Sequence, residues 1–352
     1  MSNADDIVIE TATRIFHDLA NPQTLNAASD DSWRAPLWNT LEESGLTKAW
    51  LGDDLGGAGG SLADGFAILR AAGAHAVPVP LAETLHAAWL LGRAGLSAPD
   101  GAMTVAPAVE SDSVTLNANG RLDGSVRAVP FASEAEHIAV LTHDGETAVA
   151  ALVAAADCAV TVGRNLAGEP RDTMTFADAA PQTMAPVSAE AGDIMLMGAA
   201  IRAAQMTGAL ETILDIAVTY AGERIAFGRP ISRFQAVQHE LAKLAGETAA
   251  AIAASGATAM AIAESASFDE RLFFEVAAAK VRIGEAARDG AAIAHQVHGA
   301  IGFTEEHVLH RFTCRLLAWR DDFGSESIWA ARLGNLVARA GGDALWPTIT
   351  AA

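Results

Sequence analysis

Basic side chains are scarce in this chain: 23 Lys and Arg stand against 43 Asp and Glu in 352 residues, a formal charge of −20. A surface of that sign repels phosphate backbones and anionic lipid over most of its area, which argues against nucleic-acid binding and a peripheral-membrane role. Cysteine is almost absent. Cys158 and Cys314 lie far apart with no CxxC spacing, so neither a disulfide framework nor a cysteine zinc site is expected, and a reducing cytoplasm fits. No segment stays apolar for the roughly 18 residues that a membrane span needs. The acidic opening MSNADDIVIETATRIF has no basic stretch leading into an apolar one, so no signal peptide is expected. Charged residues make up only 19% and hydrophobic residues 51%, with Ala abundant, which suits closely packed helices and excludes extensive disorder.

At roughly 100 to 200 residues per domain, the length predicts two or three domains. Helical patterning runs from Asp5 to about Leu96, broken at Leu51–Gly60 (LGDDLGGAGG) and at Val77–Pro80 (VPVP). From Ala98 to about Ser188 the chain shows short β-branched, alternating runs with turn signals at Asn119-Gly120 and Asp144-Gly145, an antiparallel β pattern. Long Ala-rich helical patterns then return over Met195–Arg224, Phe234–Ser267, Arg271–Gly299 and Ile328–Ala340. The expected architecture is α+β. It consists of an N-terminal all-helical domain (1–97), a middle antiparallel β domain (98–188) and a C-terminal four-helix bundle (189–352). Strands grouped between helical runs argue against a βαβ Rossmann sheet. Residues 1–188 carry 9 basic and 24 acidic side chains and residues 189–352 carry 14 and 19, so an anion site belongs in the bundle.

Two stretches carry chemistry. In YAGERIAFGRPISRFQAVQHE (Tyr220–Glu240), a helix ends, turns through Gly228 and Pro230, and restarts near Phe234. Arg224 is thereby set beside a tight turn, where a guanidinium fork suits a diphosphate, and Phe227 can cover an aromatic ring; a helical hairpin with a surface arginine is the plainer alternative. In AHQVHGAIGFTEE (Ala294–Glu306), a helix stops at Gly299 and Gly302, which permit close backbone approach, and Gln296 offers both a donor and an acceptor. His295, His298, His307 and His310 with Glu305 and Glu306 share no open metal pattern, and no metal is expected. The loop Gly56–Gly60 lacks the Gly-Lys-Ser/Thr ending of a phosphate loop.

In this order, after a helical and then a β region, the two stretches resemble the acyl-CoA dehydrogenase family. Its RxxFGxxI…FQ signature is matched by Arg224, Phe227, Gly228, Ile231, Phe234 and Gln235, and its QxxGGxGF by Gln296, Gly299, Ala300, Gly302 and Phe303. The loop LGDDLGGAGG is similar to the family's acidic-Tyr-Gly-Gly loop. The resemblance implies an FAD-dependent enzyme of fatty acid or steroid catabolism that dehydrogenates the α and β carbons of an acyl-CoA, with an electron-transfer acceptor. It assigns Arg224, Phe227, Gly228, Gln235, Gln296, Val297, His298, Gly299 and Ala300 to the FAD of a neighbouring protomer, and so implies an oligomer.

Two departures shape the expectation. The family's Thr-Glu-Pro…Gly-Ser-Asp motif is reduced here to Ser111 and Asp112 within MTVAPAVESDSV (Met103–Val114), and its Trp-Ile-Thr is replaced by AVPFAS (Ala128–Ser133). The family's catalytic Glu position aligns with Phe323, and its alternative location aligns with Gly198 and Ala199. Asp322 and Glu326, one position before and three after Phe323, are candidate relocated bases, or a solvated or capping pair at a helix start. Arg315 and Arg320, near Trp319, either pair with these acids, help bind CoA phosphates or, as the plainer reading, pack. The expectation is therefore a subunit that completes the FAD site of a catalytic partner. The alternatives are a self-sufficient homomer using Asp322 or Glu326 and a scaffold of the same fold.

Overall fold

The computed structural model describes residues 3–265 and 267–350. Five helices come first: α1 (Asn3–Leu19), α2 (Pro22–Ala27), α3 (Arg34–Glu43), α4 (Leu62–Ala74) and α5 (Leu81–Arg93). The chain starts α4 with a reciprocal cap. The Ser61 hydroxyl accepts from the Asp64 amide, and the Asp64 carboxylate accepts from the Ser61 amide. The glycine loop before it folds back on itself, and a side chain at Gly57 would overlap the Leu51 carbonyl. This loop therefore acts as a tight connector between helices.

Eight strands follow: β1 (Met103–Ala106), β2 (Val114–Leu116), β3 (Leu122–Pro130), β4 (His137–Asp144), β5 (Thr147–Ala154), β6 (Ala159–Thr161), β7 (Arg171–Ala179) and β8 (Thr183–Pro186). They form two four-stranded sheets, ordered β1-β4-β5-β8 and β2-β3-β7-β6. The β4–β5 hairpin turns where Asp144-Gly145 predicts, and β2–β3 turns around Asn119-Gly120. One pair departs from the antiparallel expectation: β1 runs parallel to β4. The intervening β2 and β3 belong to the other sheet, so no hairpin constrains β1 against β4.

The remaining helices are α6 (Ala191–Glu223), α7 (Gln235–Glu264), α8 (Glu270–His298), α9 (Leu309–Trp319), α10 (Glu326–Ala340) and α11 (Gly342–Thr350). A two-residue ribbon, β9 (Ile225–Ala226) and β10 (Arg229–Pro230), joins α6 to α7. Helices α6, α7 and α8 pack on one another, α10 lies on α8, and α9 wedges against both α6 and α8. The sequence pattern did not predict α9, which is short, carries Phe, Thr and Cys, and has no side-chain cap at its start. One apolar cluster joins the first helices, both sheets and the near parts of α6, α8 and α10; a second fills the far end of the bundle. The site described below lies along α6, which belongs to both clusters.

Candidate functional site

The α6–α7 connection is the exposed end of the site. Phe227 and Gly228 both have positive φ, 50° and 80°, between the paired β9 and β10, the geometry of a two-residue type I′ hairpin. Gly228 adopts this conformation without strain, whereas Phe227 does so at a cost of about 1 kcal/mol. Its ring is 96% exposed, lying edge-on to Phe234 at 6.1 Å between centroids, while the Arg229 guanidinium covers the Phe234 ring at 4.3 Å. The Arg224 backbone is pinned on both sides, its amide donating to the Tyr220 carbonyl and its carbonyl accepting from Ile231. The Arg224 and Gln235 side chains are exposed.

The second motif ends α8. Gly299 leaves the helix with φ 65° and ψ −145°, a conformation open only to glycine, and Gln296 and Ala300 are exposed beside it. Gln296 and Val297 share a groove of about 590 Å³ with Ala236, His239 and Lys243, so the start of α7 and the end of α8 face one cleft. His298 does not join that surface. It is buried, stacked on Tyr220 at 4.3 Å, and its Nδ1 lies 2.7 Å from the Ala294 carbonyl, to which it must donate. Burial lowers its pKa, so it stays neutral.

The turn between α9 and α10 holds Phe323, the position that the resemblance aligns with the family's base. Phe323 sits there with φ 54° and is 5% exposed. Its ring packs on Gly198 so closely that any side chain at 198 would overlap it, and the His86 ring meets it edge-on at 5.4 Å. The two base positions inferred from the resemblance are thus in direct contact, one an aromatic ring and the other a glycine.

Both candidate acids are committed elsewhere. Asp322, 3% exposed, accepts from Arg171 Nε and Arg202 Nε at 3.0 Å each. Glu326 begins α10, accepts from Arg320 Nε at 2.5 Å, and lies over Gly284. Arg320 thus pairs with one of the expected acids, while Arg315 pairs with Glu169 at 2.8 Å.

The sequence reading did not name the centre of this arrangement, Arg202. At 2% exposure it donates to Glu83 at 2.7 Å, to Gln205 at 2.6 Å and to Asp322. Burial opposes its charge, but the surrounding carboxylates prevail and hold its pKa above the usual arginine value. Burial raises the Glu83 carboxyl against the pull of Arg202, and holds His86 down at about 3, so His86 is neutral. Lys280, also buried, donates to the carbonyls of Trp319, Arg320 and Asp322 at 2.9 to 3.1 Å. Burial lowers it to about 7, with Asp322 opposing the shift, and the three acceptors match the three protons of the ammonium form.

Asp112, which the resemblance places in the flavin-shelf motif, is likewise paired. Asp112 accepts from the Arg127 guanidinium at 2.5 Å and from its amide at 2.7 Å, and Phe131 is buried.

Residues 191–332 match the family described as acyl-CoA dehydrogenase, C-terminal domain. The acyl-CoA dehydrogenase IpdE2 of Mycolicibacterium smegmatis is 28% identical over 320 residues, covering 87% of this chain and 90% of the relative. This chain belongs to the acyl-CoA dehydrogenase family. Solved structures agree across the whole fold of this family member. The ChsE4-ChsE5 complex from Mycobacterium tuberculosis superposes with a TM-score of 0.85 at 23% identity, covering 96% of this chain and 98% of that one. A structure described as the Tcur3481-Tcur3483 steroid ACAD G363A variant gives 0.84 at 26% identity over 96% and 98%. The helical, β and helical order expected from the sequence is therefore the fold of the family. Among the described residues, no helix is long and apolar enough to cross a membrane.

Proposed function

We propose that this chain is the subunit of an FAD-dependent acyl-CoA dehydrogenase assembly that completes the flavin site of a catalytic partner. The observation that supports the reading is the contact of Phe323 with Gly198, the two positions that the resemblance aligns with the family's base and that here carry no carboxylate. When bound, the flavin accepts the β hydride of the acyl thioester. Removal of the α proton needs a free carboxylate over that carbon, and its loss costs roughly 10²- to 10⁴-fold in rate. Asp322 is clamped between two guanidiniums and Glu326 is bound by Arg320, so neither is available. The reading therefore puts the base on the partner.

The residues that reach outward suit a group held chiefly by another chain. Arg224 offers a fork to a diphosphate, Phe227 and Gly228 form a raised aromatic tip, and Gln235, Gln296, Val297, Gly299 and Ala300 line or flank the groove beside it. His298 supports this surface from behind through its stack on Tyr220. On the chain's own side, Asp112, a remnant of the family's shelf motif, is bound by Arg127. The Tcur3481-Tcur3483 structure, described as a steroid ACAD, favours a two-chain assembly and a steroid-derived acyl-CoA, and the family resemblance adds a separate electron acceptor.

The test is visible absorption with flavin counted per protomer. The purified chain should be colourless, and flavin should appear when a base-carrying family member is added. One flavin per protomer in a homo-oligomer would refute the reading.

A further inference from the structure

The proposed function concerns what the chain lends to a partner; the packing around Phe323 concerns its own substrate pocket. Each backbone neighbour of that ring is fixed by a different element. Asp322 is held through its carboxylate by Arg171 at the start of β7 and by Arg202 on α6, and through its carbonyl by Lys280 on α8. The Phe323 carbonyl accepts from Trp329 Nε1 on α10 at 3.0 Å. Behind the ring stand Gly198 and His86. A gating loop has few buried contacts and solvent-exposed hydrogen bonds, whereas this turn has the reverse.

We infer that Phe323 is a permanently held wedge, not a gate, and that this chain's own acyl site is closed and takes no thioester. Four anchors on four elements must break together before the ring can leave. The charges behind it also make an acyl chain a poor substitute: an alkyl group in place of the ring would meet the Arg202–Glu83–Asp322 ion pairs, which need polar partners when buried. The inference rests on the family's base position falling at 323, as the proposed function does, but it makes a separate claim about this chain alone.

Hydrogen exchange on the full-length chain, read by mass spectrometry over residues 319–326, tests the wedge. Its amides should exchange only as fast as those of the buried core of α6. Exchange faster than the α6 core by more than about tenfold at native pH would reveal local opening and overturn the inference. In parallel, calorimetric titration of the same chain with octanoyl-CoA should give no saturable heat, and a one-to-one isotherm would also overturn it. Failure here is distinguishable from failure of the proposed function, which is read by flavin content. An opening turn in a chain that acquires flavin only from a partner would sink the wedge alone. A locked turn in a chain that holds its own flavin would sink the subunit reading alone.

Discussion

Replacing Arg202 with Met removes the cation from the centre of the buried network while keeping a long, flexible side chain in its place. Glu83 is 4% exposed and its carboxylate is paired with Arg202, so the substitution leaves an uncompensated charge inside the fold. Asp322 keeps Arg171 and loses only half its clamp. Stranding one partner of a buried pair costs about 3–5 kcal/mol. At a urea slope of about 1–3 kcal/mol per molar, that moves the unfolding midpoint down by about 1 M or more. The pH dependence identifies the cause. Without Arg202 the main influence holding Glu83 down is gone, so burial raises its folded pKa further above the unfolded value. A group raised in this way contributes stability that is complete below the unfolded pKa and lost as pH rises through the folded one. The deficit of Arg202→Met should therefore be smallest near pH 5 and grow toward pH 8, and adding Glu83→Gln should recover much of it at pH 8. Urea titrations of wild type, both single variants and the double variant at the two pH values measure this directly. A deficit below about 1 kcal/mol, or one that does not change with pH, would refute the buried ion-pair reasoning.

Gly198→Ala places a methyl group into the Phe323 ring and should cost about 1–3 kcal/mol by urea denaturation, with recovery on adding Phe323→Leu; an unchanged midpoint would deny the contact. Phe227→Ala removes an exposed ring and should shift stability by no more than about 0.5 kcal/mol, yet lower the flavin retained by the assembled enzyme; equal flavin content would remove Phe227 from the site. Lys280→Met leaves three carbonyls without their donor and should cost about 2–3 kcal/mol at pH 7. Because the folded pKa of Lys280 lies at about 7, below its unfolded value, the wild type gains stability as pH rises from 7 to 9 and its margin over the variant should widen; a constant margin in urea midpoints would contradict the shift.

The long helices were legible because their signal is local. Ala-rich periodicity interrupted by Gly and Pro places α6, α7, α8 and α10 within a few residues of where they lie. Helix α9 was not, since its short run with Phe, Thr and Cys forms by packing on α6 and α8. The parallel β1–β4 pair was equally hidden, being set by which sheet the intervening strands join. At the site, motifs beside glycine turns could be read directly, whereas Glu83, Arg202 and Asp322 meet across gaps of 119 and 120 positions. A signal did exist: Arg202 is the only charged residue between Asp193 and Glu211. A lone guanidinium within an apolar stretch of helix requires a buried counter-charge, and the sequence alone states that requirement. Which acids answer it was not.

The two ends of the site make opposite demands on the chain, and the contrast supports a division of labour. Around Phe323 the buried charges answer one another, with Arg202 paired to Glu83 and Asp322 and Lys280 donating to the Asp322 carbonyl. At the hairpin the reverse holds. Phe227 adopts a left-handed conformation costing about 1 kcal/mol and exposes 96% of its side chain, so it recovers none of that cost by burial. Arg224, with its backbone fixed by two hydrogen bonds, leaves its guanidinium outside. Within a lone chain these features only subtract from stability, whereas against the cofactor of another chain they are a pre-formed aromatic cover and a diphosphate fork. Strain of this kind persists when surrounding structure over-determines it, as the β9–β10 pairing and the Phe234 ring do here. On the proposed reading, the fold makes structural use of the position that aligns with the family's base and keeps the exposed hairpin for a neighbouring chain.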